Sequence, residues 1–79
     1  MLAIQALAFI AEEPERLSRF LEVTGIPVER IRDAARERGF LAGVLEHMLS
    51  DESLLLAFAD AAGMDPAEIA RARSSLGGR

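Results

Sequence analysis

The chain has 79 residues, 51% of them hydrophobic and 28% charged, and its net charge at pH 7 is −4. This length and balance predict one globular domain covering residues 1–79. The absence of cysteine and lysine, together with a single histidine, excludes disulfides, thiolate or multi-histidine metal sites and lysine-based covalent chemistry.

The first predicted helix covers residues 2–12 and is apolar on almost every side. It is shorter than the roughly 20 residues that span a bilayer, and it lacks the basic segment of a signal peptide. We therefore expect a buried helix in a cytoplasmic protein that does not bind membranes. Pro14 interrupts this helix and suits the first position of a second, amphipathic helix over residues 15–24, which Gly25 ends.

The third predicted helix begins at Pro27 or Val28 and ends before Gly39. Its apolar spacing directs four side chains toward the core: Val28, Ile31, Ala34 and Ala35. Acidic residues and arginines share the outer face, where pairs of opposite charge three residues apart stabilise a helix slightly.

The fourth predicted helix covers residues 40–49 and carries an almost continuous apolar surface. Its predicted core residues are Phe40, Leu41, Val44, Leu45, Met48 and Leu49. Gly43 lowers the helix propensity by roughly 1 kcal/mol relative to alanine. We therefore expect another backbone to approach closely at this glycine.

The fifth predicted helix, residues 52–62, is capped by Ser50 or Asp51 and is the most apolar element. Only Ser53 and Asp60 form a polar strip on it. Such a helix needs cover on several sides. We therefore predict that it lies at the centre of the fold, with the first, second and fourth helices packed on it, or forms half of an oligomer interface.

The sixth predicted helix begins with a capping box from Asp65 to Glu68, which has Pro66 at the first helical position. Its predicted inner edge is Ile69, Ala72 and Leu76, and residues 77–79 are predicted to fray. No alternating strand pattern or hairpin signal occurs in the sequence. The fold class is therefore predicted to be all-α, a compact array of five or six short helices.

The two halves of the chain resemble one another when one is shifted by 38 residues. Seven identical pairs then coincide at core and turn positions: Leu7/Leu45, Leu17/Leu55, Phe20/Phe58, Gly25/Gly63, Ile31/Ile69, Ala34/Ala72 and Gly39/Gly77. A duplicated three-helix unit and convergent patterning of helical hairpins explain this equally well.

One segment has the spacing of a helix-turn-helix, with Gly25 between two helices and Ile31 six residues later. In that alternative reading Arg30, Arg32 and Arg36 would contact nucleic acid. Acidic residues share the same outer surface, and the chain has no excess of positive charge to drive such binding. A plain helical hairpin is the favoured interpretation.

His47 is predicted to lie at the edge of the apolar face of the fourth helix. Glu46 precedes it and points in another direction, so the two form no obvious acid–base pair. No set of nucleophile, base and oxyanion donors is recognisable. We expect no enzyme activity, metal or cofactor, although a deep polar pocket around His47 would favour an enzyme.

The first and fifth predicted helices both lack a full polar face. A chain of this size buries only about 60–65% of its unfolded surface, so some of this apolar area is expected to meet a partner. The sequence therefore predicts a non-catalytic interaction or regulatory module, binding another protein or a second copy of itself through these helices.

Five segments occur in an order that resembles a known family: ALAFIAEEPERLSRFL (6–21), TG (24–25), FLAGVL (40–45), DESLLLAF (51–58) and GMDPAEIARAR (63–73). The chain is similar along essentially its whole length to short, all-helical bacterial proteins, mainly alphaproteobacterial, known only as a domain of unknown function. The resemblance implies a cytoplasmic helical protein. It implies no activity and no site residues.

Overall fold

The computed structural model describes residues 2–77, which form six α-helices and a single 3-10 turn. The elements are α1 (Leu2–Ala11), α2 (Pro14–Thr24), the 3-10 turn (Val28–Arg30), α3 (Ile31–Ala34), α4 (Arg38–Leu49), α5 (Glu52–Ala62) and α6 (Pro66–Gly77). Because these residues contain no strand, the predicted all-α class is confirmed. Residues 78–79 of the predicted frayed end lie outside the described part, and Gly77 is still helical.

The central helix of the fold is α4, which packs against α6, α1 and α5. Its side chains Val44, Leu45 and Met48 are fully buried. The prediction that the fifth helix lies at the centre is therefore wrong. One face of α5 is open to solvent, and Leu56 on that face is 50% exposed while Leu54 is buried. The number of apolar residues misled the prediction, because position among neighbouring helices decides which helix is covered on all sides.

Helix ends follow the local signals in the sequence. Pro14 opens α2, and the left-handed glycines Gly25 (φ 72°) and Gly63 (φ 67°) end α2 and α5. The carboxylate of Asp51 caps α5 by accepting a hydrogen bond from the Leu54 amide at 3.2 Å. These predicted boundaries are confirmed because each depends on a few adjacent residues.

The predicted capping box of the sixth helix is also present. The Asp65 carboxylate accepts from the Ala67 amide at 2.9 Å, and the Asp65 amide donates to the Glu68 carboxylate at 3.3 Å. The predicted inner edge is confirmed: Ile69 is fully buried, and Ala72 and Leu76 pack against the core.

The third helix is much shorter than predicted. After the 3-10 turn, α3 makes a single α-helical turn, and the chain is extended at Glu37 (φ −102°, ψ 131°) before α4 begins at Arg38. Residues 36–39 offer no apolar side chain to bury, so extending the helix through them would gain no packing. Val28, predicted to face the core, is 58% exposed.

Gly43 has open space where a side chain would begin, because a Cβ atom built there meets no heavy atom within 4 Å beyond its chain neighbours and the backbone of its own helix. The predicted close approach of another backbone is therefore wrong. No helix within residues 2–77 combines the length and the hydrophobicity that crossing a membrane requires.

Candidate functional site

The outward face of α1 is apolar. Four buried side chains, Ala3, Ala6, Leu7 and Ile10, fix the orientation of the helix. The opposite face therefore exposes Ile4, Ala8 and Ala11, spaced four and three residues apart, beside Gln5 and Glu12. We call the line of Ile4, Ala8 and Ala11 the α1 ridge. A groove lies on each side of this ridge.

The first groove separates α1 from α5 and has a volume of about 310 Å³. We call it the α1–α5 groove; its lining residues are Gln5, Ala8, Phe9, Glu12, Phe58, Ala61 and Ala62. The rings of Phe9 and Phe58 join the two helices, with their centroids 5.4 Å apart. The Arg16 guanidinium lies 4.4 Å from the centre of the Phe9 ring. Glu12 is the only charged residue in this lining.

The second groove lies on the other side of the ridge and has a volume of about 360 Å³. We call it the α1–α3 groove; it is lined by Leu7, Ala11, Leu17, Val28, Ile31, Arg32 and Ala35. Arg32 is the only charged residue in its lining. Sequence reasoning missed this groove because it treated Val28 and Ile31 as core residues of a longer helix.

These two grooves and the ridge can bind apolar side chains of a partner. The two helices named from the sequence, the first and the fifth, do contribute walls to one of the grooves. Leu56 of α5 takes no part, because it projects among Glu52, Ser53 and Asp60 on the exposed face of that helix. The contribution of α5 is instead Phe58, Ala61 and Ala62.

A separate polar cleft surrounds His47. Two adjoining depressions of about 240 and 410 Å³ share Arg19, His47, Asp51 and Ser53. The cleft is open to solvent between α2 and the junction of α4 with α5. The imidazole of His47 packs edge-on against the Phe20 ring, with centroids 5.1 Å apart. His47 is therefore half-buried at the edge of the apolar face of α4, as predicted.

Burial lowers the pKa of His47 below its usual 6.5, because removal from water disfavours the charged imidazolium. The Asp51 carboxylate raises this pKa and the Arg19 guanidinium lowers it further, and both effects are smaller than that of burial. Burial and Arg19 thus both favour the neutral imidazole. Sequence reasoning treated Asp51 only as a helix cap, although its four-residue spacing from His47 could have indicated proximity.

The cleft brings together a base, a carboxylate and a hydroxyl, but it does not connect them. Within residues 2–77 no hydrogen bond joins the His47 ring, the Ser53 hydroxyl and the Asp51 carboxylate, which is occupied in capping α5. An activated serine needs a hydrogen bond to its base and an orienting partner for that base. As placed, these groups do not form a nucleophilic triad.

The three arginines of the nucleic-acid reading lie on successive short elements. Arg30 belongs to the 3-10 turn, Arg32 to α3 and Arg36 to the turn before α4, and all three side chains are exposed. Exposed Glu29 and Asp33 lie among them. The α3 helix has four residues, so it offers one turn rather than the several turns of a recognition helix.

The described residues 2–77 contain no group of three or more histidine, aspartate or glutamate side chains arranged to hold a metal ion. The ion pair between Arg73 and Glu46, with a nitrogen–oxygen distance of 3.0 Å, lies at the surface. It joins α6 to α4 away from both grooves and from the His47 cleft.

Comparison with known proteins finds one family model, described as "Protein of unknown function (DUF3572)", that matches residues 1–79. No curated protein and no solved structure matches the chain. The match confirms the resemblance to a domain of unknown function that the order of sequence segments indicated.

Proposed function

This chain belongs to the DUF3572 family of proteins of unknown function along its whole length, and we propose that it acts in the cytoplasm as a non-catalytic protein-interaction module. The observation that carries the proposal is the apolar α1 ridge with an apolar groove on each side. The ridge and grooves form one continuous surface, which is where a partner binds.

The energetic reason is the apolar area that remains open to water. Ile4 is 40% exposed on the ridge and Val28 is 58% exposed at the α1–α3 groove. Removing apolar surface from water stabilises a complex by about 25 cal/mol for each Å². A partner that covers the ridge and both grooves therefore gains more than one that covers a flat polar surface.

The partner binds through side chains on one face of a helix, in the manner of helix-in-groove recognition. Apolar anchors enter the grooves, a basic group lies near Glu12 and an acidic group near Arg32. Each groove has one charged residue in its lining, and opposite charges at these positions orient the partner.

The test uses a photo-reactive residue at Ala8, introduced into the chain in its native cells, with the same residue at Ser74 on α6 as a position outside the surface. We expect covalent adducts from Ala8 at least about tenfold above those from Ser74, since hot-spot contacts concentrate at an interface centre. Equal yields at the two positions would show that the ridge is not an interface.

A matched pair of valines makes the test specific. Val28→Asp adds a charge at the α1–α3 groove and should abolish the Ala8 adducts. Val23→Asp changes a valine that is 67% exposed on α2, away from both grooves, and should leave them unchanged. Loss of adducts in both variants, or in neither, would contradict the proposed surface.

The alternative function is nucleic-acid binding through Arg30, Arg32 and Arg36, favoured by the exposure of all three side chains. A gel-shift titration at low salt tests it, because phosphate contacts are strongest there. Retardation that disappears in the triple variant of these arginines to glutamine would support the alternative. Absence of retardation at low salt would eliminate it.

A further inference from the structure

We propose that the occupant of the ridge and grooves is a second copy of this chain, in a two-fold symmetric dimer whose α1 helices run parallel. This inference rests on the proposed function and names its partner. It follows from how the charged and apolar residues are divided between the two sides of the ridge.

The linings of the two grooves contain charged residues of opposite sign. Glu12 lines the α1–α5 groove, and Arg32 lines the α1–α3 groove. When two helices related by a two-fold axis run parallel and face one another, the left flank of one meets the right flank of the other, as the e and g positions do in parallel coiled coils. Glu12 of each copy therefore faces Arg32 of the second copy, and the pair forms twice.

An antiparallel arrangement of the two α1 helices does not bring Glu12 and Arg32 together. In it, each flank meets the same flank of the second copy, so Glu12 and Arg32 lie on opposite sides of the interface and cannot pair. The charge complementarity between the two copies is then lost. The placement of one acid and one arginine on opposite sides thus selects the parallel orientation.

The sizes of the apolar side chains fit the same arrangement. The α5 wall of the first groove ends in two small residues, Ala61 and Ala62, whereas the rim of the second groove carries the exposed Val28. In the parallel dimer these flanks meet, so Val28 of each copy covers the alanines of the second copy. Ala8 and Ala11 on the ridge allow the two α1 helices to approach closely.

The first experiment measures the dimer dissociation constant by sedimentation equilibrium for charge-reversed variants of the full chain. Glu12→Arg and Arg32→Glu should each raise the constant by about tenfold, because each reversal places like charges together twice. The double variant should return it to within about threefold of the original value, as coupled pairs do.

Exposed residues outside the grooves provide the matched controls. Glu22→Arg and Arg36→Glu make the same charge changes and should alter the dissociation constant by less than about twofold, since neither residue lines a groove. A double variant of Glu12 and Arg32 that is weaker than both single variants would overturn the proposed pairing.

The second experiment determines orientation through disulfides, for which the chain provides no background because it contains no cysteine. In a parallel dimer, Ile4→Cys and Ala11→Cys each oxidise to a disulfide-linked dimer when present alone. Cross-links that form only when the two single variants are mixed would show an antiparallel interface and overturn the proposal.

The outcomes separate this inference from the function it rests on. A chain that stays monomeric at about 1 mM while Ala8 forms adducts with another protein overturns the dimer and leaves the interaction module in place. A monomer with no adducts at Ala8 overturns both. A dimer with the predicted cross-links supports both.

Discussion

The two halves of the molecule build the same pair of helices and then diverge. Shifting the chain by 38 residues places the bounds of α5 on those of α2, and both helices end at a left-handed glycine. The third elements differ. The first half has the 3-10 turn and the four-residue α3, whereas the second half has the twelve-residue α6.

One pair of residues bears on where the third element ends in each half. The apolar stripe of α6 continues from Ile69 through Ala72 to Leu76, while the corresponding positions of the first half are Ile31, Ala34 and Arg38. A helix continued to Arg38 would direct a guanidinium toward the core. Arg38 instead begins α4 and donates a hydrogen bond to the Ser75 carbonyl at 3.4 Å.

The consequence at the surface is the α1–α3 groove. In the second half, α6 packs closely on α4 and buries Ile69 completely. In the first half the four-residue α3 stands where the second half has α6, and Ile31 is only half-buried. The groove is therefore the place where the repeated pattern leaves α1 without the cover that α4 receives.

The aromatic contacts repeat across the halves as well. Phe9 of α1 packs on Phe58 of α5, and at the shifted positions His47 of α4 packs on Phe20 of α2. Each contact thus joins one half to the other. The α1–α5 groove and the His47 cleft therefore occupy equivalent places in the two halves. The groove is apolar and has Phe9 at this position, whereas the cleft is polar and has His47.

The largest effect should come from the two isoleucines. Ile69→Ala should lower the free energy of unfolding by about 3 kcal/mol, because the side chain is fully buried between helices. Ile31→Ala, at the shifted position, should cost only about 1 kcal/mol because part of that side chain is already in water. Urea unfolding followed by circular dichroism measures both, and equal losses would contradict the difference in packing.

An intermediate effect is expected at the two helix starts, which are also 38 residues apart. Asp51→Ala should destabilise the chain by about 1 kcal/mol, since the carboxylate caps the Leu54 amide. Glu13 precedes α2 and makes no side-chain capping bond, so Glu13→Ala should change stability by less than about 0.5 kcal/mol. The same unfolding measurement would contradict this if Glu13→Ala cost as much as Asp51→Ala.

The smallest effect should be the dependence of stability on pH. The pKa of His47 is lower in the folded chain than its usual 6.5, so the unfolded chain binds the proton more tightly. The stability of the folded chain that depends on a neutral His47 is therefore fully present above pH 6.5 and is lost as the pH falls below that value. His47→Phe places at position 47 the ring that Phe9 has at the corresponding position of the first half. It should make the free energy of unfolding depend less on pH between about pH 7.5 and about pH 5.5. An unchanged slope would exclude His47 as its source.

The sequence predicted what adjacent residues determine. Pro14, Gly25, Gly63 and the Asp65 capping box act on their own turn of the chain, so the predicted helix starts and stops there are confirmed. The central position of α4 could not be predicted in this way. It depends on which helices meet in space, and the many leucines of α5 gave the wrong order.

The candidate site was predicted in part. The sequence predicted a buried first helix that lacks a full polar face, with some apolar area left for a partner, and Ile4 on the outward face of α1 is 40% exposed. The second groove was missed because its existence depends on where α3 ends. Arg38 could have revealed that end, since it interrupts the apolar stripe that its counterpart Leu76 continues.

The two aromatic pairs, Phe9–Phe58 and His47–Phe20, affect what happens when the chain is cut by a protease. Each three-helix fragment taken alone would contain one ring of each pair and lack its partner ring. Neither fragment can therefore complete these aromatic contacts by itself. Glu37 lies in the exposed link between the two fragments. After cleavage there, we expect the two fragments to remain associated through these aromatic contacts.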